Sequence, residues 1–158
     1  MRNTDLLISV RLVQGADAPA LCGPILRSVP EWFGIEEYTR SYIDATAVLP
    51  TWVAFAGGAP AGFVSLKHHQ PKASDVYCMA VKREFHGRGI GAALLRQVEE
   101  ELRRAGFEYL QVKTQGPSRP SAEYAGTLRF YEKVGFTRLE EFSGIWPGIP
   151  CLLLVKKL

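Results

Sequence analysis

The chain has 158 residues, 47% of them apolar, and a net charge of +3 from 19 Lys and Arg against 16 Asp and Glu. That size and composition suit a single globular domain that buries its own core without a metal or disulfide staple. They exclude a membrane span, for which no apolar run approaches the roughly 18 residues needed, and the basic excess is too mild for a dedicated nucleic-acid binder.

Ile8, Val10 and Leu12 alternate with Ser9 and Arg11, which predicts a half-buried strand. Gly15 offers a turn, Asp17 an N-cap, and Pro19 suits a first helical turn, so a short helix runs to about Ser28. Ile35, Tyr38, Tyr42 and Ile43 recur at helical spacing and predict a second helix from Ile35 to Ala45, with Pro50 closing the region. Thr51–Ala56 and Ala61–Leu66 are strand-like and flank Gly57-Gly58 and Pro60, as a hairpin would. Lys67–Ser74 is polar and reads as a loop, in which His68-His69 are solvated and not metal ligands. Asp75–Val81 is a mostly apolar central strand.

Gly89–Arg104 is the strongest helix, with Ile90, Leu94, Val98 and Leu102 on one stripe and Gly106 as its stop. Tyr109–Lys113 is a strand, and Gln115–Pro120 is a loop. A helix follows from Ser121 through Glu123–Val134 and stops at Gly135. Phe136–Phe142 and Cys151–Val155 are the last strands, with Ser143–Pro150 as a Gly/Pro/Trp loop between them. The resulting order β-α-α-β-β-β-α-β-α-β-β predicts one mixed α/β sheet and one domain over residues 1–158. Cys22, Cys78 and Cys151 are far apart and form no Cys-x-x-Cys pair, so buried thiols in a reducing cytoplasm are expected. Met1–Asp5 leads into an alternating segment and not an apolar signal core, which agrees with a cytoplasmic location.

Chemistry concentrates after the central strand, where His86-Gly87-Arg88-Gly89-Ile90-Gly91-Ala92 opens the strongest helix. Glycines bring bare backbone N–H groups close to a ligand, the helix N-terminus adds partial positive charge, and Arg88 adds a full one, a set that suits a phosphate or pyrophosphate. No Gly-Lys-Ser/Thr follows, so the Walker pattern fails. Gly87-x-Gly89-x-x-Ala92 fits a loose dinucleotide fingerprint, but the next strand ends in Val112-Lys113-Thr114 where an acidic residue is needed, which rejects nicotinamide binding.

The segment resembles the acyl-CoA-binding motif of the GNAT superfamily of N-acetyltransferases, Arg/Gln-x-x-Gly-x-Gly/Ala, with His86 at the first position. Thr127-Leu-Arg-Phe130-Tyr131-Glu-Lys133-Val-Gly135-Phe136 resembles the family's C-terminal signature, with Tyr124 where an Asn is common. The resemblance covers about Trp52 to Leu158. It implies a mostly antiparallel sheet of about seven strands, helices on both faces, and central strands splayed to admit CoA.

It also implies acetyl-CoA as co-substrate and no metal. The cofactor would meet Met79, Ala80 and Val81, His86 to Ala92, and Tyr124, Thr127, Tyr131 and Lys133, with a backbone N–H of the Met79–Val81 stretch polarising the thioester carbonyl. Tyr131 is placed as general acid. Asp75 is placed as general base, direct or through water, with Glu123 as second candidate and water alone as a third. Trp32, Phe33, Tyr38, Asp75 and Trp146 are expected to line the acceptor pocket, where carboxylates Glu31, Glu36 and Glu37 also gather; cation–π and charge contacts would suit an amine. The acceptor is a primary amine of a small molecule or a protein, and a homodimer through the last two strands is a further expectation. Two alternatives stay open: a non-catalytic CoA-binding sensor or interaction module, and an acetyltransferase acting on aminoacyl-tRNA.

Overall fold

The computed structural model describes residues 6–158; the expectation resting on Met1–Asp5 lies outside them. Strand β1 (Ile8–Val13) is followed by α1 (Asp17–Arg27), α2 (Glu36–Ala45), β2 (Thr51–Ala56), β3 (Ala59–Gln70) and β4 (Ala73–Val81). A 3-10 turn at Arg83–Phe85 leads to α3 (Ile90–Arg104), β5 (Tyr109–Gln115), α4 (Ala122–Lys133), β6 (Thr137–Trp146) and β7 (Ile149–Lys157). The seven strands form one open sheet in the order β1-β2-β3-β4-β5-β7-β6. β4 and β5 run parallel, with Ala73 opposite Tyr109 through Val76 opposite Val112, while β1 with β2, β2 with β3, β5 with β7 and β6 with β7 are antiparallel. This is the mixed sheet that the element order predicts, mostly antiparallel and seven-stranded as the family resemblance implies.

Local chemistry accounts for the boundaries. Gly57 and Gly58 sit at φ +57° and +87°, so β2 and β3 join through a two-residue turn that only such residues make cheaply. Ser121 caps α4 by accepting the Tyr124 N–H, and Gly135 ends it at φ +105°. At α1 the capping position falls on Ala16, and Asp17 lies one residue inside, where its carboxylate faces the positive end of the helix.

Two expected loops are strands. Lys67–Ser74 forms the ends of β3 and β4, leaving only Pro71-Lys72 as a turn, so His68 and His69 are strand residues. Their polar side chains are held across the hairpin: His68 Nδ1 meets Ser74 Oγ at 2.9 Å and His69 Nε2 meets Asp75 Oδ2 at 3.0 Å. Ser143–Pro150 likewise continues β6 and begins β7 around a turn at Pro147-Gly148, and Trp146 pairs with Ile149 at the strand end. A sheet ladder satisfies the backbone whatever the side chains are, so an exposed strand need carry no apolar alternation.

The chain divides into two compact units, one of residues up to Leu66 with Cys78–Glu100, the other of Lys67–Tyr77 with Glu101–Leu158. In the first, Ile25, Leu26, Val53, Phe63, Val64, Ile90, Leu94, Leu95 and Val98 are fully buried. In the second, Leu110, Val112, Leu128, Phe136, Cys151 and Leu154 are buried.

All three cysteines are buried free thiols. Burial pushes the Cys22 thiol up to about 12 and raises Cys78 further, the neighbouring Cys22 adding to it. The native protein should therefore resist iodoacetamide at both positions at pH 8, with labelling appearing only on denaturation, as peptide mass spectrometry would show. The raised Cys22 value also has a sign for stability: the unfolded thiol ionises above about pH 9 while the folded one stays protonated, so that contribution is lost as pH climbs from 9 towards 12.

Candidate active site

In the first unit, β4 ends at Val81, and the Lys82 N–H donates to the Ala61 carbonyl at 2.8 Å. The following turn is closed by the Phe85 and His86 N–H groups, which donate to the Lys82 and Arg83 carbonyls at 2.9 and 3.0 Å. Gly87 and Gly89 have φ of +74° and +83°, and nothing lies within 4 Å of a Cβ built at either. Glycine is thus required by the backbone and not by crowding, and the space beside both residues is open. The Ala93 N–H donates to the Gly89 carbonyl at 3.0 Å, so Gly89 caps α3. Ile90 is fully buried and anchors the helix start. Gly91 and Ala92 then lie in a first turn whose N–H groups have no carbonyl one turn earlier. Arg88 is exposed and has no side-chain partner among the described residues. Bare donors, a helix dipole and an unpaired guanidinium favour an anion.

His86 is occupied within this loop. Its Nε2 lies 2.7 Å from the Val81 carbonyl oxygen, which can only accept, so the imidazole donates there and the Nε2–H tautomer is fixed. Its ring meets Trp32 edge-on at 5.6 Å. The Arg83 guanidinium bonds Glu31 at 2.7 Å and lies 5.7 Å from the Trp32 ring centroid. Glu31 and Trp32, from the segment between α1 and α2, therefore brace the glycine loop, a pairing no sequence spacing signals. Phe33 packs edge-on against Tyr42 at 6.0 Å, and Tyr38 is partly exposed. Glu36 opens α2 and is held by Arg27 at 2.7 Å.

In the second unit, the Ser121 hydroxyl donates to the Glu123 carboxylate at 3.1 Å, and Thr127 donates to the Glu123 carbonyl at 3.2 Å. Glu123 is thus committed to the helix start. Tyr131 is 6% exposed, its ring 5.3 Å from Phe130 and edge-on to Phe136 at 5.4 Å. Lys133 lies exposed in the last turn of α4. An open cavity of about 460 Å³ is bounded by Gln115–Pro117, Arg119–Ala122, Tyr124, Ala125, Leu128, Arg129 and Arg138. Asp75 is 4% exposed and its Oδ2 accepts from Lys113 Nζ at 3.2 Å as well as from His69. Asp75 Oδ1 is buried with no hydrogen-bond partner among the described residues. No group of three or more His, Cys, Asp or Glu side chains that could hold a metal occurs among the described residues, and no described helix is long and apolar enough to cross a membrane.

Residues 24–136 match the model of the Acetyltransferase (GNAT) family. The chain belongs to the GNAT family. The matched span contains both the glycine loop and Tyr131. Among curated GNAT relatives, the mouse protein named "Probable N-acetyltransferase family 8 member 5" is 28% identical over 145 residues, 89% of this chain. The chain spans 58% of the length of that relative. Among solved structures, a GNAT-family protein from Desulfovibrio desulfuricans shares the fold with a TM-score of 0.78 at 20% identity, covering 96% of this chain and 99% of that one. The PaiA N-acetyltransferase of Thermoplasma acidophilum, solved in complex with coenzyme A, gives a TM-score of 0.74 at 20% identity over 96% of this chain and 99% of its own.

Proposed function

We propose that this chain is an acetyl-CoA-dependent N-acetyltransferase acting as one domain, moving an acetyl group directly from the thioester to a primary amine of a small molecule or protein. The observation that carries the reading is the glycine loop: two residues at positive φ opening α3 beside Arg88, which has no side-chain partner among the described residues, within the span that matches the family. The pyrophosphate of CoA is assigned to the N–H groups of Gly87–Ala92 and to Arg88, with His86 as the brace that holds the loop on Val81. Backbone N–H groups of Met79, Ala80 and Val81 serve the pantetheine arm and polarise the thioester carbonyl. Tyr124, Thr127 and Lys133 are assigned to the rest of the cofactor.

An alkylamine is protonated at neutral pH and must lose a proton before it attacks. Removal of that proton is assigned to Asp75, directly or through water or a side chain hydrogen-bonded to it, and Tyr131 returns a proton to the CoA thiolate as it leaves. Trp32, Phe33, Tyr38 and Trp146 are assigned to the acceptor side. A homodimer through β6 and β7 belongs to the same proposal, since β6 is an edge strand of the sheet and mostly exposed.

A thermal-shift titration with acetyl-CoA, CoA, NAD and ATP tests the reading, followed by thiol release over an amine panel. A ligand at 100 times its Kd adds about 2.7 kcal/mol. Stabilisation by CoA species alone, with thiol release dependent on an amine, is the expected result. Stabilisation by NAD or ATP would overturn the ligand assignment and the roles of Tyr131 and Asp75 with it, and CoA binding with no turnover on any amine would favour a sensor.

A further inference from the structure

One oxygen of the Asp75 carboxylate is already occupied by two side chains. Two donors, Lys113 Nζ at 3.2 Å and His69 Nε2 at 3.0 Å, converge on Oδ2. His69 is the other half of the arrangement. Its side chain is 38% exposed against 5% for Asp75, and its Nδ1 has no partner among the described residues. A carboxylate oxygen only accepts, so Nε2 carries the hydrogen in neutral His69 and Nδ1 presents a lone pair. We infer that His69, oriented by Asp75, takes the proton from the acceptor amine. The inference rests on the acetyl-transfer reading and names the atom that performs its proton step.

The step balances without a further reactant. An N–H bond of the acceptor ammonium breaks, an Nδ1–H bond forms on His69, and the amine keeps the electron pair with which it attacks the thioester. The imidazolium then loses its proton to solvent through its exposed edge. Asp75 accepts from Nε2 throughout and orients the ring, and Lys113 holds the same carboxylate oxygen. Cys151 of β7 also lies beside the pair: it feels both Lys113 and Asp75, and burial pushes its thiol up. Lys67 of β3 turns away to the Tyr77 ring at 5.6 Å, and His68 turns to Ser74 and Phe107.

The test compares kcat/KM for the acceptor against pH in the wild type, His69→Gln and Asp75→Asn, with His68→Gln as control. His69→Gln should lose about 100-fold or more in kcat and lose the acidic limb of the profile, at unchanged KM for acetyl-CoA. Asp75→Asn should lower kcat at unchanged KM for acetyl-CoA, because the imidazole loses the carboxylate that orients it. Imidazole added to His69→Ala should restore part of the rate, and His68→Gln should match the wild type. An unchanged limb and rate in His69→Gln would overturn the inference while leaving acetyl transfer standing; a wild type that acetylates no amine would overturn the functional reading instead. A 15N NMR measurement decides the pair independently of any acceptor: neutral His69 protonated at Nε2 supports it, and protonation at Nδ1 refutes it.

Discussion

Tyr131→Phe should bind acetyl-CoA as the wild type does and lose most of its turnover. The substitution keeps the ring that packs against Phe130 and Phe136 and removes one hydroxyl, so the 6% exposed site needs no repacking. What goes is the group assigned to protonate the CoA thiolate. Phenols carry their proton at neutral pH, unlike carboxylates, so the donor is loaded in every turnover of the wild type. Loss of a positioned acid costs about 100- to 10,000-fold. The loss should fall on kcat with KM for acetyl-CoA unchanged, since the hydroxyl acts as the thiolate develops and not on the bound ground state. Steady-state kinetics at saturating acetyl-CoA reads both quantities. An unchanged kcat would remove Tyr131 from the chemistry, and a matched fall in CoA affinity would make it a binding residue.

Periodicity carried the elements that bury a face. The α3 stripe of Ile90, Leu94, Val98 and Leu102 is buried at every position, and Gly57-Gly58, Gly106 and Gly135 all sit at positive φ where turns or helix ends were expected. It failed where strands are exposed. Residues 67–70 of β3 and most of β6 point to solvent, so no alternation marks them, and polar composition was taken for a loop. The site was legible where it is local. Val81 to Ala92 lie in one continuous run, whose glycines suggest an anion site and whose pattern resembles the GNAT acyl-CoA segment. The environment of Asp75 is not local, because Lys113 lies 38 residues away on a different strand and only sheet pairing brings them together. His69 was hidden twice over, once by the loop reading and once by its partner lying across a hairpin turn. Trp32 shows the same limit: its contacts with His86 and Arg83 join segments about 50 residues apart, and no spacing in the chain signals them.

The double substitution Gly87→Ala with Gly89→Ala should abolish most of the stabilisation that acetyl-CoA confers. Nothing lies within 4 Å of either added methyl, so sterics with neighbours are not at issue. The cost is in the backbone, about 1–2 kcal/mol for each L-residue forced into the left-handed region. The chain has two responses. It can hold the loop and lose stability, or it can relax to negative φ and swing the first N–H groups of α3 away from the ligand. In the second case urea unfolding of the free protein changes little and the acetyl-CoA thermal shift collapses. Gly126→Ala separates this backbone effect from a general intolerance of added methyls. Gly126 lies inside α4 outside the positive-φ set, with only the Arg129 guanidinium at 3.7 Å from an added Cβ. There alanine should stabilise by about 0.5–1 kcal/mol. A double variant that retains the wild-type acetyl-CoA shift would show that the two glycines only turn the chain, and the anion would have to be bound elsewhere.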